Sequence, residues 1–197
     1  YTKKEKNRLF RKFDINKKNY KETLENIGEY NPMLGKRGVR LGLTEQEIYE
    51  MQIRAIFCAL SEINDEKNTN FSLEIILPMV SSVREIKPIK KMIFNIKKLV
   101  EKKFKNKIYV KFGVMIETPR SALISEDIAP FCDFFNYGTN DLTQMVYGLS
   151  RDDKSQFIEY YNEKNLFGID PFSSIDQKGV GKLIESSLKK AKRSNDK

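Results

Sequence analysis

Short apolar runs alternate with longer amphipathic stretches through the middle of the chain. The apolar runs are centred near positions 77, 113 and 135, and we predict strands over 73–80, 108–117 and 133–137. Stretches with apolar residues every three to four positions predict helices over 44–63, 82–104, 121–129 and 141–147. Strands that alternate with helices are typical of a parallel sheet. The pattern therefore predicts an α/β fold, either part of a barrel or an open parallel sheet.

Two pairs of residues have the spacing of a capping box, in which a Ser or Thr and a Glu three positions later close the start of a helix. The pairs are Thr44 with Glu47 and Ser82 with Glu85. Behind the first pair, apolar residues at helical spacing predict one buried stripe: Ile48, Met51, Ala55, Ala59 and Ile63. Pro78 has no N–H to donate to a sheet, so we expect it near the end of the first strand.

The first forty residues lack such a pattern. Residues 1–26 are charged, with scattered apolar positions, and we expect a surface helix and a loop there. Residues 29–40 contain one proline and two glycines, which favour a loop.

The length of 197 residues allows one domain with a substantial core, but it falls short of the roughly 250 residues of a complete (β/α)₈ barrel. The chain begins at Tyr1 rather than Met, so we expect a piece of a longer protein in which residues 1–197 belong to a single domain. Neither an apolar stretch of membrane-spanning length nor a signal peptide occurs in the sequence. We therefore expect no membrane partner and a location in the cytoplasm or within an organelle.

Charge and residue usage narrow the chemistry. The net charge of +9 comes from lysines spread over predicted helices and loops, rather than from one basic arm with interleaved aromatics, so we expect no nucleic-acid partner. The chain has no histidine, which excludes histidine-based triads and the commonest general base. Its two cysteines, Cys58 and Cys132, lie far apart in apolar surroundings, and we expect two buried free thiols rather than a metal cluster.

Two carboxylates stand at the carboxyl ends of predicted strands. Glu117 ends the second strand, and Asp141 comes soon after the third. Taken singly, Asp141 could be a helix N-cap and Glu117 an acid that faces water. Together, at the edge where parallel strands end, they fit a hard divalent cation such as Mg²⁺, which proteins hold with one or two carboxylates and further ligand oxygens. Gly138 either allows close approach of a ligand to the backbone or is simply a turn, and Asn140 offers an amide donor beside the metal.

Four arginines are candidates for binding phosphate or carboxylate, because the planar guanidinium matches both groups better than a lysine does. Arg37 and Arg40 lie in a glycine-containing loop, Arg120 follows a proline, and Arg151 lies just past the last predicted helix. Each of them alone can equally be a solvated surface charge. The two loop arginines, beside glycines, are the better phosphate candidates.

Several segments resemble motifs of the enzymes that bind phosphoenolpyruvate on a barrel. They are NPMLGKRGVRL from Asn31, LPMV from Leu77, GVMIETPRSAL from Gly113 and DFFNYGTNDLTQM from Asp133. That family includes pyruvate phosphate dikinases, phosphoenolpyruvate synthases and enzyme I of the sugar phosphotransferase system. Two further segments, GLSRDD from Gly148 and DPFSSIDQKGVGKL from Asp170, are similar to the dikinases rather than to the other two. The resemblance is strongest over 29–184 and implies a partial (β/α)₈ TIM barrel of the phosphoenolpyruvate-binding type.

The resemblance also implies roles for the matching residues. The implied Mg²⁺ ligands are Glu117 and Asp141. The implied substrate-binding residues are these two acids with Arg37, Gly138, Thr139, Asn140 and Arg151. A complete dikinase interconverts ATP, phosphate and pyruvate with AMP, diphosphate and phosphoenolpyruvate, and a phosphohistidine on a separate domain of the same chain carries the phosphoryl group. The resemblance further implies a homodimer for the full-length protein.

The chain departs from the family pattern in three places. Lys36 stands where the family usually has histidine. The family's proton-donating cysteine is expected beyond Lys197, and two further substrate arginines of the family precede the loop that contains Asn31. We therefore expect no catalytic proton donor in this chain and no dikinase activity from it alone. The alternatives are a synthase barrel, an enzyme I barrel, or a non-catalytic binding module derived from such a barrel.

Overall fold

The computed structural model of the protein describes residues 34–151, 160–161 and 163–195. The chain divides into two units between Gly35 and Lys36, and the elements named below belong to the second unit, residues 36–197. The helix and loop predicted over 1–26 lie outside the described residues, as does the start of the loop predicted over 29–40. The single domain predicted for residues 1–197 stays a prediction.

Strands and helices alternate along the described part of the chain. In chain order they are α1 (Val39–Thr44), α2 (Gln46–Lys67), β1 (Ser72–Leu77), α3 (Val83–Phe104), β2 (Tyr109–Ile116), α4 (Pro119–Leu123), α5 (Ser125–Ile128), a 3₁₀ turn (Ala129–Phe131), β3 (Phe134–Tyr137), α6 (Thr139–Tyr147), a π-helical turn (Gln177–Gly181) and α7 (Lys182–Asn195). No helix in these ranges is both long and apolar enough to cross a membrane.

The three strands form one parallel sheet in the order β1-β2-β3. β1 pairs with β2 from Ser72 opposite Tyr109 onward, and β2 pairs with β3 from Gly113 opposite Phe134 onward. Each strand reaches the next through helices, as parallel pairing requires. The α/β prediction is confirmed, and a three-stranded parallel sheet of this kind is part of a barrel wall rather than a closed barrel.

The core lies between the sheet and α3. Five apolar residues of α3 recur at three- to four-residue spacing and are buried: Ile86, Ile89, Ile93, Ile96 and Val100. They share one apolar cluster with the buried residues of β2 and the end of β1. The capping box predicted at Ser82 and Glu85 is confirmed. The Ser82 side chain accepts a backbone N–H from the first turn of α3, and the Glu85 side chain accepts the backbone N–H of Ser82. Pro78 follows the last residue of β1, as predicted.

The capping box predicted at Thr44 and Glu47 is wrong. Thr44 is the last residue of α1, and its hydroxyl donates to the Arg40 carbonyl at 2.9 Å instead of capping α2. Helix α2 begins at Gln46 without a side-chain cap and continues past residue 63 to Lys67. The loop predicted over 29–40 likewise ends earlier, because Val39 already belongs to α1.

The stripe predicted to be buried on α2 is exposed. Met51, for example, keeps 64% of its surface in water. The buried residues of α2 are instead Ile53, Phe57, Ser61 and Asn64. The two polar members tolerate burial because they are hydrogen-bonded: Ser61 lies 3.3 Å from Asn106, and the Asn64 side chain accepts the Phe71 N–H at 2.9 Å.

The helix predicted over 121–129 is divided into α4, α5 and the 3₁₀ turn. Thr118 caps α4 in a second capping box with Ser121. Helix α7 packs on these short helices, and its buried Ser187 is hydrogen-bonded to both α5 and β3. The Ser187 carbonyl accepts from Ser125 at 2.8 Å, and its hydroxyl lies 3.0 Å from the Tyr137 hydroxyl.

Candidate functional site

The carboxyl ends of all three strands meet at one edge of the sheet. Met79 lies two residues beyond the end of β1, Glu117 directly follows β2, and Gly138 directly follows β3. Because the strands are parallel and in register, these three positions are neighbours in space. The two acids predicted from the sequence therefore lie at this edge of the sheet.

Glu117 is the most buried acidic group at this edge, with 3% of its surface exposed. Its Oε1 atom accepts the backbone N–H of Met79 at 2.5 Å. Burial raises the pKa of the Glu117 carboxyl, and the charge and hydrogen bond of Asp141 raise it further, whereas the Met79 N–H and the Arg37 guanidinium oppose the rise. The Glu117 carboxylate is thus held in place by backbone and lies against a second acid.

Asp141 lies in the first turn of α6, where the helix dipole favours a negative charge. It is not the N-cap, a position taken by Gly138. Its carboxylate forms an ion pair with the Arg37 guanidinium, and its side chain is 16% exposed. The structure therefore brings Glu117, Asp141 and Arg37 into one cluster.

Gly138 is needed for its small size rather than for its backbone angles. Its φ of −81° is open to any residue. A Cβ added to it, however, would stand 2.6 Å from both the Cβ and the Oε2 of Glu117, far inside contact distance. The missing side chain lets the start of α6 approach the Glu117 carboxylate closely.

The remaining predicted substrate residues lie at the exposed start of α6 and just beyond its end. Thr139 and Asn140 occupy its first two positions and are exposed. Arg151 donates from its Nη1 to the Asn140 Oδ1 at 3.2 Å, and its backbone N–H donates to the buried Gln144 side chain at 2.6 Å. Arg151 is thereby fixed next to Asn140 on the same face of the edge.

The loop that carries Arg37 is fastened to the end of β1. The Val39 N–H donates to the Pro78 carbonyl at 3.0 Å. Gly38 has a φ of +56°, and a Cβ on it would stand 2.8 Å from the Cβ of Met79, so both conformation and space require glycine there. This attachment places the Arg37 backbone beside the acids.

Met79 makes a backbone contact in the candidate site that sequence reasoning missed. It is 1% exposed and has a φ of +59°, an uncommon angle for a non-glycine residue. This conformation accompanies the N–H that Met79 donates to Glu117. A backbone N–H leaves no signal in the residue type. Uncommon backbone angles such as that of Met79 do, however, occur often at functional sites.

The neighbouring carboxylates of Glu117 and Asp141 suit Mg²⁺ but do not surround it. Among the described residues, no group of three or more His, Cys, Asp or Glu side chains is placed to hold a metal. Mg²⁺ commonly takes one or two protein carboxylates and completes its octahedron with waters and substrate oxygens. The carboxylate oxygens of Glu117 and Asp141 are hard ligands with negative charge, and they therefore fit Mg²⁺. Lys36, at the position where the family usually has histidine, forms an ion pair with Glu45.

Comparison with known proteins shows the family to which the chain belongs. Residues 3–195 match the family model described as "PEP-utilising enzyme, PEP-binding domain". The chain belongs to this family. It is 47% identical over 174 residues to a pyruvate, phosphate dikinase of Rickettsia bellii (strain RML369-C), a match that covers 88% of this chain and 20% of the relative.

Two further relatives of this PEP-binding domain carry the same name. The chain is 37% identical over 193 residues to the pyruvate, phosphate dikinase of Clostridium symbiosum, covering 98% of this chain and 22% of the relative. It is 43% identical over 172 residues to the chloroplastic enzyme of Flaveria trinervia, covering 87% of this chain and 18% of the relative. The chain thus spans about a fifth of the length of the curated relatives it matches. The predicted resemblance to the dikinases is confirmed.

Proposed function

We propose that this chain is the part of a pyruvate phosphate dikinase that binds pyruvate and phosphoenolpyruvate. The whole enzyme interconverts ATP, phosphate and pyruvate with AMP, diphosphate and phosphoenolpyruvate. The observation that carries the proposal is the cluster of Glu117, Asp141 and Arg37 at the carboxyl edge of a parallel sheet, in a chain whose named relatives are dikinases.

Glu117 and Asp141 would hold Mg²⁺ in this proposal. Bound there, Mg²⁺ supplies a Lewis acid that polarises the pyruvate carbonyl and stabilises enolate charge. The Met79 N–H fixes one oxygen of Glu117, which leaves its other oxygen, Oε2, toward Gly138 and the α6 side. The backbone therefore orients the carboxylate before any ligand arrives, and orientation of this kind is a large part of catalysis.

The substrate-binding groups lie around these acids. Arg37 and Arg151 supply guanidinium forks for the phosphate and carboxylate of phosphoenolpyruvate. Asn140, aligned by its contact with Arg151, presents its amide to the substrate, and the exposed Thr139 lies beside it. Gly138 leaves the space in which a ligand oxygen reaches the acids.

Neither cysteine of the chain is placed to donate a proton at this edge. Cys132 precedes β3 and so lies at the opposite, amino end of that strand, and Cys58 lies within α2. We assign the proton donor, and the phosphohistidine that carries the phosphoryl group, to other parts of a longer chain. A homodimeric assembly and a location in the cytoplasm or an organelle belong to the same proposal.

Calorimetric titration with Mg²⁺ tests the assignment of the acids. Glu117→Gln and Asp141→Asn keep the size of each side chain but remove the charge, so each should weaken Mg²⁺ binding at least tenfold without unfolding the chain. Glu185→Gln is the control, because Glu185 is an exposed acid on α7 that pairs with Lys189. Equal Mg²⁺ affinity in all three variants and the wild type would refute the metal site.

The same variants separate the enzyme from a non-catalytic binding module. In the complete protein, Glu117→Gln should abolish phosphoenolpyruvate formation, because Glu117 would be one of the two carboxylates that hold Mg²⁺. A complete protein that binds Mg²⁺ and phosphoenolpyruvate but never turns over would favour the binding module.

A further inference from the structure

Arg37 makes its ion pair with one of the two proposed metal ligands. Its Nη2 atom donates to the Oδ1 of Asp141, and its charge also acts on Glu117. In this structure the positive charge of Arg37 compensates the two adjacent carboxylates. The Oδ1 lone pair that accepts the guanidinium N–H is not available to a metal ion, and the positive charge of Arg37 lowers the attraction of Asp141 for a second cation.

The acid pair needs such a compensating charge. Glu117 is almost completely buried and Asp141 is mostly so, and like charges in a poorly hydrated site repel strongly. A bare pair of carboxylates is therefore costly. A cation of the protein, a cation from solution or a proton shared by the two acids lowers that cost.

The surroundings of Arg37 allow its side chain to leave while its backbone stays. The loop is fastened through Val39 and Gly38 to the end of β1, so the Arg37 backbone remains at the edge. The Arg37 side chain itself is 39% exposed, which means that it reaches the acids from the solvent side. A rotation of this long side chain carries the guanidinium from Asp141 toward the open edge, where the phosphate of a substrate would bind.

We propose that Arg37 competes with the divalent cation for Asp141. The Arg37 guanidinium must release Asp141 before Mg²⁺ binds, and it then binds the phosphate group of the substrate. The inference rests on the proposed function and adds to it an order of binding, metal before phosphorylated ligand. Because coupling between two sites is reciprocal, a bound phosphate that draws Arg37 away also strengthens metal binding.

Mg²⁺ titration of an Arg37 variant distinguishes competition from support. If Arg37 merely stabilises the site, then Arg37→Met should weaken Mg²⁺ binding; if Arg37 competes, the same change should tighten it, by about tenfold for one lost charge-assisted pair. Lys36→Met is the matched control. It removes the same unit charge one position away, from a side chain that pairs with Glu45 outside the acid cluster, and should change the affinity less than threefold.

Circular dichroism confirms that each variant is folded, and Arg37→Gln repeats the test with a polar side chain of smaller size. An unchanged or weaker Mg²⁺ affinity in both folded Arg37 variants would overturn the inference while leaving the metal site standing. Failure of wild type and variants alike to bind Mg²⁺ at millimolar concentration would overturn both the inference and the proposed metal site.

Inorganic phosphate provides a second readout. In the wild type, Mg²⁺ should strengthen phosphate binding, because it releases the guanidinium that then binds the anion. In Arg37→Met the increase in phosphate affinity caused by Mg²⁺ should fall by about tenfold or disappear, whereas in Lys36→Met this increase should be the same as in the wild type. A strengthening of equal size in Arg37→Met would contradict the proposal.

Discussion

Replacing Gly138 by alanine adds a single methyl group at the tightest point of the site. That methyl carbon would stand 2.6 Å from the Glu117 Cβ and 2.6 Å from its Oε2, and the Met115 sulphur would lie 3.2 Å away. The φ of −81° at Gly138 suits alanine, so the backbone itself imposes no strain. The whole cost therefore comes from overlap with Glu117.

The size of the cost follows from which atoms must move. The Glu117 Cβ is fixed by β2, and the Gly138 N–H is fixed to the Ile116 carbonyl at 3.2 Å, so neither side yields easily. Overpacking of this kind costs about 1–3 kcal/mol. A shifted carboxylate also weakens its hydrogen bond with the Met79 N–H, worth about 1.5–3 kcal/mol for a charged acceptor. We expect a loss of about 2–4 kcal/mol in the free energy of unfolding.

Urea unfolding and Mg²⁺ calorimetry measure the two consequences separately. Gly148→Ala is the control, because Gly148 has a φ of +64° and nothing within 4 Å of an added Cβ. It should cost about 1 kcal/mol through backbone conformation alone and leave Mg²⁺ affinity unchanged. Gly138→Ala should lower Mg²⁺ affinity at least tenfold. Wild-type stability together with wild-type affinity in Gly138→Ala would refute the close approach of α6 to Glu117.

Two further predictions concern the thiol before β3 and the cap of α3. Burial raises the pKa of the Cys132 thiol from 9.0 to about 11. In a Cys58→Ser variant, alkylation of Cys132 by iodoacetamide should therefore be about 100-fold slower at pH 8 than that of an unshifted thiol, and its rate should rise about tenfold per pH unit up to pH 10. An alkylation rate that levels off near pH 9 would contradict the burial of Cys132. Ser82→Ala should lower the free energy of unfolding by about 1 kcal/mol, whereas Thr44→Ala should change it by less than about 0.5 kcal/mol because Thr44 caps no helix. Equal effects of the two substitutions in urea unfolding would show that the capping box at Ser82 adds nothing.

The strands and the long central helix were predictable because nearly all of their apolar residues are at least partly buried. β1 ends earlier than predicted, at Leu77, since Pro78 cannot pair. Helix α2 shows where the pattern fails. It carries two sets of apolar residues, and the buried set continues into Ser61 and Asn64, whose burial depends on hydrogen bonds to residues outside the helix. Periodicity cannot rank two such faces, and tertiary contacts decide between them.

The candidate site was predictable only as far as side-chain types reveal it. The position of Glu117 and Asp141 after successive strands indicated their convergence, and the structure brings them together. The Met79 N–H was beyond prediction because every residue except proline has one. The pair between Arg37 and Asp141 joins residues 104 positions apart, and no local pattern encodes a contact over that distance.

That separation has a consequence for folding kinetics. The first rungs of the β2–β3 ladder join Gly113 and Phe134, and those of the β1–β2 ladder join Ser72 and Tyr109, so both ladders close far shorter loops than the contact between Arg37 and Asp141 does. The loop between Arg37 and Asp141 is about five times longer than the one that the β2–β3 ladder closes, and closing it costs roughly 1.4 kcal/mol more of chain entropy. We therefore expect the two acids, one directly after β2 and one in the helix after β3, to meet before their guanidinium partner arrives. During that interval they lack their compensating charge, and a folding rate that increases with Mg²⁺ concentration is the expected result.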